Sequence, residues 1–269
     1  MAGSEMRLVL VGWGAITRRV AGLLAERAAP VRVVAVAVRD RAAVRAQTPP
    51  SARMIADPAE LADLSADFVV EAASRASVAP WARAALGLGL PIAVSSTSAF
   101  AAPELLPELV ALARRTGGAV LIPPGALGGI DALAAAGRLG LASVTHEIVK
   151  PPAAWRGTAA ETLCDLERLA APAVLFEGSA AEAAAAFPQN ANVALITALA
   201  GLGPERTRLR LVADPAATLN GHRIHAEGDF GRLDIRLENR PLAANPKSSE
   251  LTALNLVRLI ENQFAPLRV

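Results

Sequence analysis

At 269 residues with a formal net charge of +2, the chain has room for two modest domains. Its arginines are scattered along the sequence instead of gathered into the basic stripe that a phosphate backbone requires, which argues against a nucleic-acid partner. Hydrophobic residues make up 53% of the chain, much of it alanine, a sign of helix packing rather than membrane burial, and no run approaches the roughly 20 apolar residues of a bilayer span. A single cysteine, Cys164, excludes an internal disulfide and a cysteine-cluster metal site. The absence of tyrosine excludes every mechanism in which a phenol handles the substrate proton, and three histidines remain as acid–base candidates near neutral pH. The first residues, MAGSEMRLVLVGWG, lack the basic region, long apolar core and cleavage site of a signal peptide, so the expected compartment is the cytoplasm.

Residues 6–12 form an apolar run ending at a glycine, and the following segment places Ile16, Val20, Leu23 and Leu24 at helical spacing, which reads as strand, turn and helix. The near-continuous valine and alanine of 31–40 predict a second strand buried on both faces. A helix-prone stretch follows at 41–47, and 49–54 reads as a loop. Further strands are expected at about 66–73 and 90–96 and within AVLIPPG. They alternate with helices in SVAPWARAALGLG and PELLPELVALARRTG, the sequence form of a doubly wound parallel sheet. After about residue 125 the pattern changes. ASVTHEIVK, TRLRLVAD, HRIHAEG and GRLDIRLEN alternate with period two, which predicts a mostly antiparallel sheet with one solvated face, interleaved with alanine-rich helices. A polar start followed by leucines and isoleucine at helical spacing gives a last helix expected to pack back on the first domain. The fold class is thus α/β: an N-terminal Rossmann domain, residues 1–120 joined by 246–269, and a second, α+β catalytic domain over 121–245.

The strongest local signal is Gly12-Trp13-Gly14-Ala15-Ile16-Thr17, directly after the first strand and opening the first helix. The first glycine of such a turn allows a tight bend, the second lets the backbone approach a pyrophosphate, and the helix N-terminus offers unpaired N–H groups to the anion. Gly12, Gly14, Ala15 and Ile16 are therefore candidate cofactor-binding residues. Thr17 stands where the fingerprint usually has a third glycine. At the end of the second strand Arg39 suits the 2′-phosphate of NADP, while Asp40 keeps NAD in play, so the expected cofactor is NAD or NADP. Of the histidines, His222 and Ile224 share one face of a strand and His225 points to the other; His146 has no distinguishing neighbour in the sequence. Cys164 reads as a packing residue in a helix spanning TLCDLERL, and no metal constellation is apparent.

Several segments of the second half resemble the L-aspartate dehydrogenase family: Ile122-Pro123-Pro124-Gly125-Ala126-Leu127-Gly128-Gly129-Ile130-Asp131, Lys150-Pro151-Pro152 with Arg156-Gly157-Thr158, Phe187-Pro188-Gln189-Asn190-Ala191-Asn192-Val193-Ala194, Asn220-x-His222-x-Ile224 with Gly228-x-Phe230-Gly231, and Asn245-Pro246-Lys247-Ser248-Ser249. The resemblance implies oxidative deamination of L-aspartate to iminoaspartate, then oxaloacetate and ammonia, with NAD or NADP as hydride acceptor. It implies His222 as the general acid–base, Ala126 and Asn192 at the nicotinamide end of the cofactor, Asn220 as a substrate-orienting residue, and Lys150 and Lys247 as cations for the substrate carboxylates. It also implies a homodimer formed through an open sheet. Two other readings share the glycine turn: a related two-domain oxidoreductase of the homoserine dehydrogenase or dihydrodipicolinate reductase type, and a redox-sensing binding protein without turnover.

Overall fold

The computed structural model describes residues 5–40, 48–188 and 190–268. The helix expected at 41–47 lies outside them. The chain forms two compact units, one built from the residues up to Pro123 together with those from Ala253 onward, the other from Pro124–Thr252.

The first unit runs β1 (Met6–Val11), α1 (Ala15–Glu26), β2 (Val31–Ala37), β3 (Arg53–Ile55), β4 (Phe68–Glu71), α2 (Arg75–Gly87), β5 (Ile92–Val94), α3 (Leu105–Thr116) and β6 (Val120–Leu121). Its six strands lie in the order β3-β2-β1-β4-β5-β6 with every pairing parallel. This is a Rossmann sheet, and its strand order reverses between β1 and β4, the point at which such sheets open a crevice at the carboxyl ends of their strands. The apolar runs are there because both faces are covered: Leu8, Leu10, Phe68 and Val70 are sealed from water. The expected loop at 49–54 instead contains the start of β3, which adds to the edge of the sheet beside β2. Three residues are too few to show a periodicity, so nothing local announces the strand.

The second unit runs α4 (Ile130–Ala136), β7 (Leu141–Lys150), β8 (Ala173–Ser179), α5 (Ala180–Ala186), α6 (Ala191–Ala200), β9 (Arg208–Ala213), β10 (Asn220–Gly228), β11 (Gly231–Asn239) and the ribbon β12 (Pro241–Leu242) with β13 (Asn245–Ser249). Its sheet has the order β11-β10-β7-β9-β8; only β7 and β9 are parallel. Alternation along the strands gives the sheet two unlike faces. Val144, His146, Ile148, Leu209, Leu211 and Ile224 turn inward onto α5 and α6 with Trp155 and Phe187, while Glu147, Arg210, Arg223 and Asp234 face out and pair with one another. Strand β8 has no counterpart among the sequence expectations; a bulge between Val174 and Phe176 breaks its alternation.

The helix expected over TLCDLERL does not form. A short 3-10 turn, Ala159–Thr162, is followed by irregular turns, and the Asp165 side chain accepts the backbone N–H of Glu167 at 3.1 Å. That local bond offers the backbone an alternative to helix. The C-terminal helix α7 (Glu250–Glu261) contributes Ala253, Leu256, Val257 and Ile260 to the same apolar cluster as Leu8, Val20, Leu24 and Phe68 of the first unit. Each larger side chain buried in this way stabilises the unit by about 2 kcal/mol.

One polar residue lies at the heart of the first unit. Glu71, fully buried at the end of β4, accepts from the backbone N–H groups of Ala73, Ser74 and Ser96 and from the hydroxyls of Ser77 and Ser96, all within 2.8–3.1 Å. It thereby fixes the loops that follow β4 and β5 at the carboxyl edge of the sheet. Glu71→Ala strands these donors and is expected to lower stability by about 3 kcal/mol in urea unfolding; a change below about 1 kcal/mol would mean the loops are held by packing alone.

Candidate active site

The glycine turn has the geometry its sequence requires. Gly12 sits at φ +95°, and a Cβ there would lie 2.7 Å from the Ala73 Cβ and 2.9 Å from the Ala73 Cα, so only glycine fits. A Cβ on Gly14 would meet nothing within 4 Å. Gly14 is the N-cap of α1 and contributes no side-chain bond to the first turn, which holds no acidic residue. The N–H groups of Ala15 and Ile16 therefore stand at a helix N-terminus that is open to an anion. Thr17, fully buried, fills the place of a third glycine, and its hydroxyl donates to the Gly14 carbonyl at 3.2 Å. Arg39 is exposed two residues beyond β2, and Asp40 follows it.

In the second unit the sheet register brings two histidines together on the inner face. His222 pairs with Ile148 and Ile224 with His146, so the two rings are diagonal neighbours on adjacent strands. Nδ1 of His222 lies 3.1 Å from Nε2 of His146, and Nδ1 of His146 lies 2.9 Å from the Thr197 hydroxyl of α6. His146 is sealed from water and His222 is 3% exposed. Desolvation drives the His146 pKa down to about 3. Desolvation, then the neighbouring charges of His146 and Lys150, hold His222 well below its ordinary value. Both rings are neutral at pH 7. Nε2 of His222 is one of three buried side-chain polar atoms without a partner among the described residues, the others being Trp155 Nε1 and Thr207 Oγ1.

Lys150 ends β7, one residue beyond Val149, the partner of Gly221. Its ammonium donates to Asn190 Oδ1 at 2.6 Å and lies 5.3 Å from the centre of the Trp155 ring. Burial brings its pKa down to about 8. Asn190 caps α6 and Asn192 is exposed in the first turn of that helix, so α6 carries both of them at one end and Thr197 further along. Asn220 is buried opposite Asn239, whose side-chain amide donates to the Ala126 carbonyl at 2.7 Å. The structure thus gathers His222, Asn220, Lys150 and, through Asn239, the Ala126 loop, around β10 and α6. It does not tie Lys247 to this group: Lys247 is exposed on β13, and its backbone N–H donates to Asn245 Oδ1 at 3.2 Å.

Sequence reasoning weighed His146 without finding it a distinguishing neighbour and assigned no role to Thr197, Asn190 or Asn239. One signal was available for the first: His146 shares strand parity with Val144 and Ile148, and a histidine on a buried face needs a polar partner.

A Rossmann sheet whose glycine turn is open at a helix N-terminus, with a second unit carrying a buried, neutral histidine, is the construction of a nicotinamide-dependent dehydrogenase. Residues 131–263 match the family model for aspartate dehydrogenase, C-terminal, and residues 12–123 match that for homoserine dehydrogenase, NAD binding domain. The chain is 60% identical to an L-aspartate dehydrogenase of Brucella anthropi over 96% of both chains, and 43% identical to one of Polaromonas sp. over 96% of this chain and 97% of that one. The crystal structure of aspartate dehydrogenase from Thermotoga maritima superposes with a TM-score of 0.78 at 25% identity, covering 98% of this chain and 99% of the other. The chain belongs to the L-aspartate dehydrogenase family and is an oxidoreductase. Among the described residues no helix is long and apolar enough to cross a membrane, and no group of three or more histidine, cysteine, aspartate and glutamate side chains could hold a metal.

The buried pair links folding to pH with a definite sign. Both folded pKa values lie below the unfolded 6.5, so the stability of the neutral pair is complete above pH 6.5 and is lost as pH falls below it. Each histidine should cost about 2 kcal/mol between pH 6.5 and 5. Urea unfolding of His146→Leu beside the parent chain should show a smaller loss over that interval than the parent, by the share of one histidine. Equal losses would show that the pair is not buried neutral.

Proposed function

We propose that the chain oxidatively deaminates L-aspartate with NAD or NADP, with His222 as the base that handles the substrate proton. The observation that carries this reading is the unpartnered Nε2 of His222, a buried ring nitrogen beside a buried lysine. A base is needed because an ammonium nitrogen has no lone pair to expel hydride. His222 Nε2 takes one proton from the substrate ammonium, and the neutral amine then drives hydride from Cα. Bound nicotinamide supplies the hydride acceptor. Water next replaces the nitrogen of the resulting iminium, giving oxaloacetate and ammonium, and His222 returns its proton to solvent. General-base catalysis of this kind works best when the base's pKa lies near the operating pH, and a substrate carboxylate beside His222 would raise its pKa towards that range.

Lys150 is the proposed partner of one substrate carboxylate, exchanging Asn190 Oδ1 for the carboxylate oxygen. Burying that carboxylate without a cation would cost several kcal/mol. Asn220, Ala126 and Asn192 keep their proposed places at the substrate amine and the nicotinamide end, and Lys247 is the proposed cation for the second carboxylate. Gly12, Gly14, Ala15 and Ile16 would hold the pyrophosphate, with Arg39 beside the adenosine ribose. Support for the turn's part comes from the space over Gly14 and the uncapped first turn of α1.

The proposed assembly is a homodimer through the outer face of the second unit's sheet, and the proposed compartment is the cytoplasm, where nicotinamide nucleotides are held. The outer face carries both signs of charge in rows, Glu147 with Arg210 at 2.9 Å and Arg223 with Asp234 at 2.7 Å, a pattern that a second copy turned by a two-fold axis can complement.

Reduction of NAD and NADP followed at 340 nm across a panel of amino acids tests the proposal. L-aspartate should give turnover well above the others, and His222→Asn should lose at least about a hundredfold in kcat while still binding the cofactor. A preparation that turns over should sediment as a dimer. No preference for L-aspartate, or full activity in the variant, would overturn the substrate and base assignments respectively.

A further inference from the structure

We infer that His146 and Thr197 are positioning residues that fix the tautomer of His222, keeping its proton on Nδ1 so that Nε2 presents a lone pair to the substrate. The inference rests on the assignment of His222 as base. Its ground is the chain of three short contacts that begins at the Val193 carbonyl: Thr197 Oγ1 donates to it at 3.1 Å, the same oxygen lies 2.9 Å from His146 Nδ1, and His146 Nε2 lies 3.1 Å from His222 Nδ1. A hydroxyl has one proton and a neutral imidazole has one, so the chain can be ordered in only two ways.

In the first order the Thr197 proton points to Val193. The oxygen then accepts from Nδ1–H of His146, the bare Nε2 of His146 accepts from Nδ1–H of His222, and His222 Nε2 is left as an acceptor. In the second order Thr197 donates to His146, His146 donates through Nε2–H to His222, and His222 Nε2 carries a proton. The two orders differ in what they leave unpaired. The first satisfies every donor in the chain and leaves one lone pair. The second removes the hydroxyl's bond to Val193 and leaves an N–H donor at Nε2, where the structure offers it no acceptor. An orphaned buried donor is the rarer and costlier defect, so the first order prevails.

The arrangement differs from one in which a carboxylate backs the histidine. An anionic partner would stabilise an imidazolium, whereas neutral His146 only accepts a hydrogen bond. The groups acting on His222 are His146 and Lys150 from β7, and the β10–β11 register sets Leu237 beside it. None of these is an anion. Among the described residues no carboxylate is hydrogen-bonded to the His222 ring to hold a proton on it once the substrate nitrogen has given one up, which favours return of that proton to solvent in each cycle.

The test uses histidine labelled with nitrogen-15 in the full chain. There are three histidines, and spectra of His225→Gln and His222→Asn assign the rings. At pH 7 the His222 ring should show a protonated Nδ1 and a bare Nε2. In Thr197→Val the His222 signals should move towards a tautomer average and kcat should fall roughly tenfold, the effect of one hydrogen bond, with KM for the cofactor unchanged. Thr197→Ser should restore both. A protonated Nε2 in the parent chain overturns the inference without recourse to any variant. So does Thr197→Val with parental kcat and a parental His222 spectrum. If His222→Asn keeps its activity, the base assignment itself falls, and that result is distinct from the other two.

Discussion

Removing two imidazoles from water is the constraint around which the second unit is organised. Sealing His146 between β7 and α6 forces the ring to be neutral, and a neutral ring can both donate and accept. That dual capacity lets a threonine on a helix act, through His146, on a histidine of the neighbouring strand. The inner face of the sheet must therefore stay dry, and the packing of Ile148, Leu195, Leu209 and Leu211 around Trp155 and Phe187 keeps it so. Had either ring been exposed, it would titrate near neutrality and the proton would no longer be confined to one nitrogen.

The first unit meets the opposite demand, since it must leave backbone groups unpaired for an anion. Gly12 permits the bend, Gly14 leaves open space, and the first turn of α1 has no capping side chain to compete with a ligand. The unit compensates at one remove. Glu71 collects five donors from the loops after β4 and β5, so the carboxyl edge of the sheet is held firmly while the turn beside it stays open. The Lys150 ammonium follows a similar logic: until a carboxylate arrives, Asn190 and the face of Trp155 occupy it.

Much of the fold was legible in the sequence because burial writes itself as periodicity. The parallel strands of the first unit are apolar on both faces, and β7, β9, β10 and β11 alternate, so both sheets could be anticipated. Strand β3 was too short to show a pattern, β8 is bulged, and Asp165 breaks what looked like a helix through a bond to a neighbouring N–H that composition does not reveal. At the site, the Asn220-x-His222 spacing on one strand face could be read directly. The meeting of His222 with His146 could not, because it depends on the register between β7 and β10, which are separated by 69 residues of chain from the end of one to the start of the other. Thr197 and Asn239 escaped notice for the same reason: each acts through a residue distant in sequence. Thr17 and Arg39 were legible as departures from the dinucleotide fingerprint, and the buried Thr17 turns its hydroxyl back onto the Gly14 carbonyl.

The proposed chemistry turns on one atom, the bare Nε2 of His222. The most direct measurement is a crystal structure of the chain with an oxidised nicotinamide cofactor and succinate, a dicarboxylate that carries no amine to react. A succinate carboxylate should lie on Lys150 Nζ in place of Asn190 Oδ1, with His222 Nε2 facing the carbon that corresponds to Cα. Succinate bound elsewhere, with Lys150 still on Asn190 and Nε2 still enclosed, would contradict it.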